Sequence, residues 1–228
     1  MRISVIIPVL NEADRIGPLI HFLRLHGSDF VEEIVVIDGG SQDATVQLAL
    51  AAGARVVQSA VSSRAAQMNL GARIAQAPVL YFVHADTMPP DSYEADIQGV
   101  LAAGYTMGCY RYQFDSPRLF LKINAYFNRF SWLWCQGGDK TFFIRREVFS
   151  DLGGYDEYYT IMEEYDFLRR AMERYRLYTI PKYATVSARK YEHNSWLRVQ
   201  VANTLVFQLF QLGVAPLRLK HIYKSILR

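Results

Sequence analysis

Cysteine is scarce: Cys109 and Cys135 are the only two in 228 residues. Their spacing suits neither a disulfide framework nor a thiolate metal site, so a reduced, cytoplasmic setting is expected. Charge of one sign is scarce too. The 25 Lys and Arg against 22 Asp and Glu leave a net +3, too little to imply nucleic-acid binding. No G-x-G-x-x-G follows the first strand pattern and no G-x-x-x-x-G-K-[ST] occurs, so neither phosphate-loop fingerprint is present. The N-terminus enters a strand pattern without a charged-then-apolar leader, and no secretory signal is expected. One uncharged stretch is long, Val199 to Leu217. Its Gln200, Asn203, Gln208 and Gln211 argue against a membrane-spanning helix.

What remains is a globular composition, 51% apolar and 21% charged, of a size for one domain with a substantial core. Ile3 to Val9, Ile34 to Ile37, Ala54 to Val57 and Val79 to Val83 read as buried strands. Helices are expected between them: one after Asn11-Glu12-Ala13-Asp14 with a stripe of Leu19, Ile20, Leu23 and Leu25, one from about Asp43, one over Ser63 to Ala75. Such alternation predicts an α/β fold, a mostly parallel central sheet with helices on both faces. Past Pro90 the sequence predicts a helix over Tyr93 to Ala103, a strand over Tyr105 to Phe114 and an aromatic helix over Leu119 to Trp134. A strand over Thr141 to Ile144 and two short ones, Tyr178 to Pro181 and Thr185 to Ala188, follow. The chain divides as 1–195, with halves 1–90 and 91–195, and a helical C-terminal extension, 196–228.

Polar residues cluster where strands end. Val79 to Val83 runs into His84-Ala85-Asp86, at the carboxyl end of a strand, where open α/β sheets bind ligands. Asp86 could hold a divalent cation on a phosphate-bearing substrate, or simply cap a turn. Asp38-Gly39-Gly40-Ser41 offers a carboxylate beside residues that let a ligand approach the backbone. Arg64, opening a helix, suits phosphate or solvent. Asn69 and Gly71 are poor helix formers within that helix, and close packing would explain them. Glu163, Glu164 and Asp166 open another helix, where acids suit the macrodipole. They follow apolar Ile161-Met162, and burial there would raise a carboxyl pKa and make a general base.

Taken as a set, Ser4 to Glu12, Val36 to Ser41, His84-Ala85-Asp86, Gly138-Asp139, Arg145 to Phe149, Gly153-Gly154-Tyr155 and Glu163 to Asp166 resemble glycosyltransferase family two, with its GT-A fold. The His-Ala-Asp-Thr form and short length look most like the small bacterial selenodomain-associated subgroup. The resemblance implies transfer of a sugar from a UDP- or GDP-linked donor to an acceptor, with inversion and with Mn²⁺ or Mg²⁺. It implies that Pro8, Leu10, Glu12, Asp38 and Gly39 hold the nucleoside and that Arg64 lies near base or diphosphate. Asp86, with His84, would meet metal and diphosphate. Gly138, Asp139 and Glu163 would line the sugar and acceptor pocket, and Glu164 would be the base. Two positions depart from the family pattern: His84 replaces the first acid of D-x-D, which favours Mn²⁺ over Mg²⁺, and Glu164 replaces Asp. Nucleotidyl transfer, or a nucleotide-binding module without catalysis, are the rival functions. The C-terminal stretch with its basic end fits an amphipathic helix on the cytoplasmic face of a membrane, a lipid acceptor, a homodimer contact, or packing onto the domain.

Overall fold

The computed structural model describes residues 1–130, 132–136 and 140–227. Eight strands form one sheet: β1 (Ile3–Val9), β2 (Val31–Asp38), β3 (Arg55–Gln58), β4 (Val79–Phe82), β5 (Thr87–Met88), β6 (Met107–Phe114), β7 (Phe142–Arg145) and β8 (Leu177–Val186), in the order β3-β2-β1-β4-β7-β6-β8-β5. β1 pairs in parallel with β2 and β4, β2 with β3, and β6 with β8. β7 runs antiparallel between β4 and β6, and β5 antiparallel to β8. The N-terminal half is thus the expected βαβ winding, and the antiparallel β7 joins it to a second, mixed half.

Side-chain alternation explains why helices cover both faces. Ile3, Val5, Ile7 and Val9 join α1 (Ala13–His26), α2 (Thr45–Ala51) and α4 (Tyr93–Ala102) in one core. Ile6, Val35, Ile37, Leu80 and Phe82 point the other way, against α3 (Arg64–Ile74), α6 (Arg146–Asp151) and α7 (Glu163–Met172). Within α1, Leu19, Ile20 and Leu23 are buried, but Leu25 is 79% exposed and does not belong to the stripe.

The poor helix formers of α3 have a packing reason. A Cβ on Gly71 would lie 2.4 Å from Ile6 Cγ2, so glycine lets α3 press onto β1. Asn69 reaches out of the helix: Nδ2 donates to Tyr155 O at 2.8 Å and Oδ1 accepts from Tyr155 N at 2.9 Å.

Three segments differ from the sequence reading. The aromatic helix α5 is shorter, Leu119–Phe127, followed by a 3₁₀ turn at Leu133–Cys135. It ends because buried Asn128 turns its side chain onto β6, accepting from Tyr112 N and donating to Tyr112 O, while Lys140 Nζ takes its carbonyl. Pro181 does not split the last strand in two. β8 is continuous, and its pairing jumps from Ile180 to Tyr183 against Tyr110 and Arg111, so the proline sits in a bulge. The C-terminal stretch forms α8 (Trp196–Gln211) and α9 (Pro216–Ile226), broken by Gly213 at φ +76. Val206, Phe210 and Leu219 pack under Tyr159, Ile161, Met162 and Tyr165, so the extension folds back onto the loop before α7. Among the described residues no helix is long and apolar enough to cross a membrane.

Candidate active site

The carboxyl ends of β1 and β4 open into a cleft of about 1110 Å³. Gln67, on α3, fixes this edge by donating to Val9 O at 2.9 Å and Ile37 O at 2.7 Å. Pro8, Leu10 and Glu12 line the cleft from the β1–α1 turn, and His84 and Asp86 from the end of β4. Arg64, first residue of α3, and Glu163 and Glu164, first residues of α7, complete the polar end. α5, α8 and α9 supply the other walls through Ile123, Phe127, Phe207 and Tyr223.

Its centre is a part-buried pair. His84 Nε2 lies 2.9 Å from Glu164 Oε1, with their side chains 12% and 14% exposed. Arg64 stands 3.6 Å from Glu163 and 3.9 Å from Glu164. Met162, at φ +68 and without a side-chain cap, turns the chain into α7 so that both acids face the cleft. The two acids respond oppositely to one environment. Burial holds the Glu163 carboxyl above the ordinary value of 4.5, with the Arg64 charge opposing it. Burial also acts to raise Glu164, but the hydrogen bond and charge of His84, with Arg64, outweigh it and hold that carboxyl below 4.5. The expectation that burial raises the Glu164 pKa is therefore corrected. Its position in the chain reveals the burial; the imidazole brought to it from 80 residues away is a product of folding.

The remaining acid of the trio is structural: Asp166 accepts from Arg169 and Arg170, each at 2.9 Å. Asp86, 28% exposed, has Arg189 at 3.6 Å and Thr87 Oγ1 at 3.4 Å. Arg189, which carried no sequence signal, grips both carboxylate oxygens of Glu12. Asp38 is not brought into the cleft lining. Its carboxylate accepts from Gly40 N at 3.0 Å and Ser41 N at 3.1 Å, holding its own turn. Gly39 packs beside Gln67. Gly138 and Asp139 lie outside the described residues.

A separate cleft of about 820 Å³ includes Arg146 and Arg170 in its wall. Those guanidiniums already donate to the carbonyls of Ala75, Leu152 and Gly154, so the larger cleft is the candidate site.

Known proteins resemble this chain in sequence and in fold. The model of the family described as glycosyl transferase family 2 matches residues 4–155. Glucosyl-3-phosphoglycerate synthase of Mycolicibacterium paratuberculosis is 47% identical over 55 residues, 24% of this chain and 17% of that protein. The Mycolicibacterium smegmatis protein of the same name is 40% identical over 55 residues, 24% of this chain and 18% of its own. The chain thus spans less than a fifth of these curated relatives in the matched stretch. Mannosyltransferase PcManGT from Pyrobaculum calidifontis, solved with GDP-Man and Mn²⁺, superposes with TM-score 0.67 at 21% identity, over 98% of this chain and 68% of that one. Glucosyl-3-phosphoglycerate synthase from Mycobacterium tuberculosis, solved with Mn²⁺, UDP and glucosyl-3-phosphoglycerate, gives 0.60 at 19% identity, over 90% and 78%. The fold is therefore the GT-A fold. With residues 4–155 of its 228 matched by the family model, the chain belongs to glycosyl transferase family 2.

Proposed function

We propose that this chain transfers a sugar from a nucleoside diphosphate sugar, UDP- or GDP-linked, to an acceptor hydroxyl, with inversion at the sugar carbon. The observation that carries this reading is the meeting of Glu164 with His84, 2.9 Å apart, in the cleft that also holds Asp86 and Glu12. Pro8, Leu10 and Glu12 bound the nucleoside end, and Asp38 and Gly39 act there by shaping the turn. Residues 1–90 serve the donor, 91–195 serve the acceptor, and 196–228 close the cleft.

Relatives of this fold have been solved with Mn²⁺ and a nucleotide. Among the described residues no three His, Cys, Asp or Glu groups cluster to hold a cation. An all-protein cage does not fit, but one carboxylate completed by substrate phosphates does. Asp86, partly exposed on the cleft, suits that role, with His84, two residues before it, as the second donor. Bound there, Mn²⁺ or Mg²⁺ would neutralise charge on the diphosphate.

Glu164 takes the acceptor proton as the hydroxyl oxygen bonds to the sugar carbon and the diphosphate leaves with the electrons of the broken C–O bond. The lowered pKa keeps Glu164 ionised and ready, at the expense of proton affinity. Arg64 and Arg189 add positive charge to the same cleft. A second assignment has its own support: burial lifts the pKa of Glu163, which suits a base working near neutrality. Glu164→Gln tests the choice. Turnover should fall about 10²-fold or more while donor binding holds; loss confined to Glu163→Gln moves the base to Glu163. On α8, Leu197, Val201 and Leu205 remain exposed, which supports contact with a lipid surface or a second copy of the chain.

A further inference from the structure

Lys190, Lys220 and Lys224 line the cleft on its C-terminal side, together with Tyr223. Lys220 and Lys224 are four residues apart on α9 and share a helix face with Tyr223. The Lys190 ammonium sits 5.1 Å from the centre of the Tyr223 ring, and Tyr223 Oη lies 3.2 Å from Asn203 Oδ1 of α8. Tyr223 thus holds Lys190 beside the helix that carries Lys220 and Lys224, and all three lysines line this side of the cleft.

Among the described residues no carboxylate forms an ion pair with those lysines. The carboxylates lining the cleft among the described residues are Glu12, Asp86, Glu163 and Glu164. Glu12 and Asp86 face Arg189, Glu163 faces Arg64, and Glu164 faces His84 and Arg64. Like charges gathered without a partner repel, and such a cluster in a cleft raises the local concentration of anions. An independent sign comes from two buried polar atoms on the cleft wall, Thr160 Oγ1 and Gln200 Nε2, which lack a hydrogen-bond partner among the described residues. Gln200 lies three residues before Asn203 on α8, on the same side of the helix.

We propose that Lys190, Lys220 and Lys224 bind a phosphate carried by the acceptor, and so orient its hydroxyl toward the acids of α7. Three point charges suit a dianionic phosphate better than a single carboxylate, which one lysine would neutralise. The helix that supplies two of them lies beyond residues 4–155, the part matched by the family model, so this recognition belongs to the C-terminal extension. The inference deepens the transferase reading and rests on it.

The phosphate could come from a soluble ester or a lipid headgroup. Two probes separate these sources: glycerol 3-phosphate in solution, and phosphatidic acid in phosphatidylcholine vesicles. Calorimetry with glycerol 3-phosphate and vesicle flotation should show wild-type binding to at least one. The triple variant Lys190→Gln, Lys220→Gln, Lys224→Gln should weaken that binding about tenfold or more, and the triple Lys→Arg variant should restore it. Both variants should keep the wild-type affinity for UDP or GDP. Wild-type binding to neither probe, or equal binding by the Gln variant, overturns the proposal. So does a loss of nucleotide affinity in step with phosphate, which would hand the lysines to the donor. A wild type that binds phosphate through the lysines but neither nucleotide refutes the transferase reading instead.

Discussion

Replacing His84 by glutamine keeps a hydrogen-bonding side chain near the end of β4 but removes the imidazole that meets Glu164 at 2.9 Å. Hydrogen bonds to charged groups contribute roughly 1.5–3 kcal/mol, and stripping one partner from a buried pair costs roughly 3–5 kcal/mol. Arg64 remains 3.9 Å from the carboxylate, and glutamine can still donate, so a loss of about 2 kcal/mol is expected. The sign of its pH dependence follows from the direction of the shift. Glu164 is held below its ordinary value of 4.5 in the folded protein. The stability due to the pair is therefore present above that value and disappears as pH falls through the folded pKa. Urea denaturation of wild type and His84→Gln should show the full gap at neutral pH and a shrinking gap in acid. In the variant, burial is left to dominate, and the acid limb of the turnover profile should move to higher pH. A stability gap independent of pH, or one that widens in acid, would refute the pairing of these two residues.

Other perturbations probe separate parts of the account. Asp86→Asn should weaken Mn²⁺-dependent nucleotide binding at least tenfold, about 1.4 kcal/mol, by calorimetry with and without the metal. His84→Asp should raise activity with Mg²⁺ relative to Mn²⁺, since a carboxylate suits the harder ion better than an imidazole does. Gly71→Ala should destabilise by roughly 1–3 kcal/mol, because its Cβ would meet Ile6 Cγ2 at 2.4 Å; unchanged denaturation would mean that α3 shifts freely.

The N-terminal winding was legible because buried parallel strands declare themselves as apolar runs bounded by turns, as at Ile3–Val9 and Val79–Phe82. The reading lost accuracy where long-range partners override local pattern. Asn128 ends α5 by bonding to a strand, and Pro181 survives in β8 because the sheet bulges around it. The same division holds at the site. His84, Asp86, Glu163 and Glu164 stood out by type and placement, and the structure brings them to one cleft. Arg189 had no signal, since its partner Glu12 is 177 residues away. The opposite pKa shifts of neighbouring acids were equally hidden, because His84 approaches only one of them closely.

The central claim is that the cleft cleaves a nucleoside diphosphate sugar. Release of nucleoside diphosphate from UDP- and GDP-linked sugars with Mn²⁺, in wild type and Glu164→Gln, tests it most directly. Slow release by the wild type from at least one donor, reduced about 10²-fold in the variant, is the predicted result. No release from any donor, or equal release by both proteins, would contradict it.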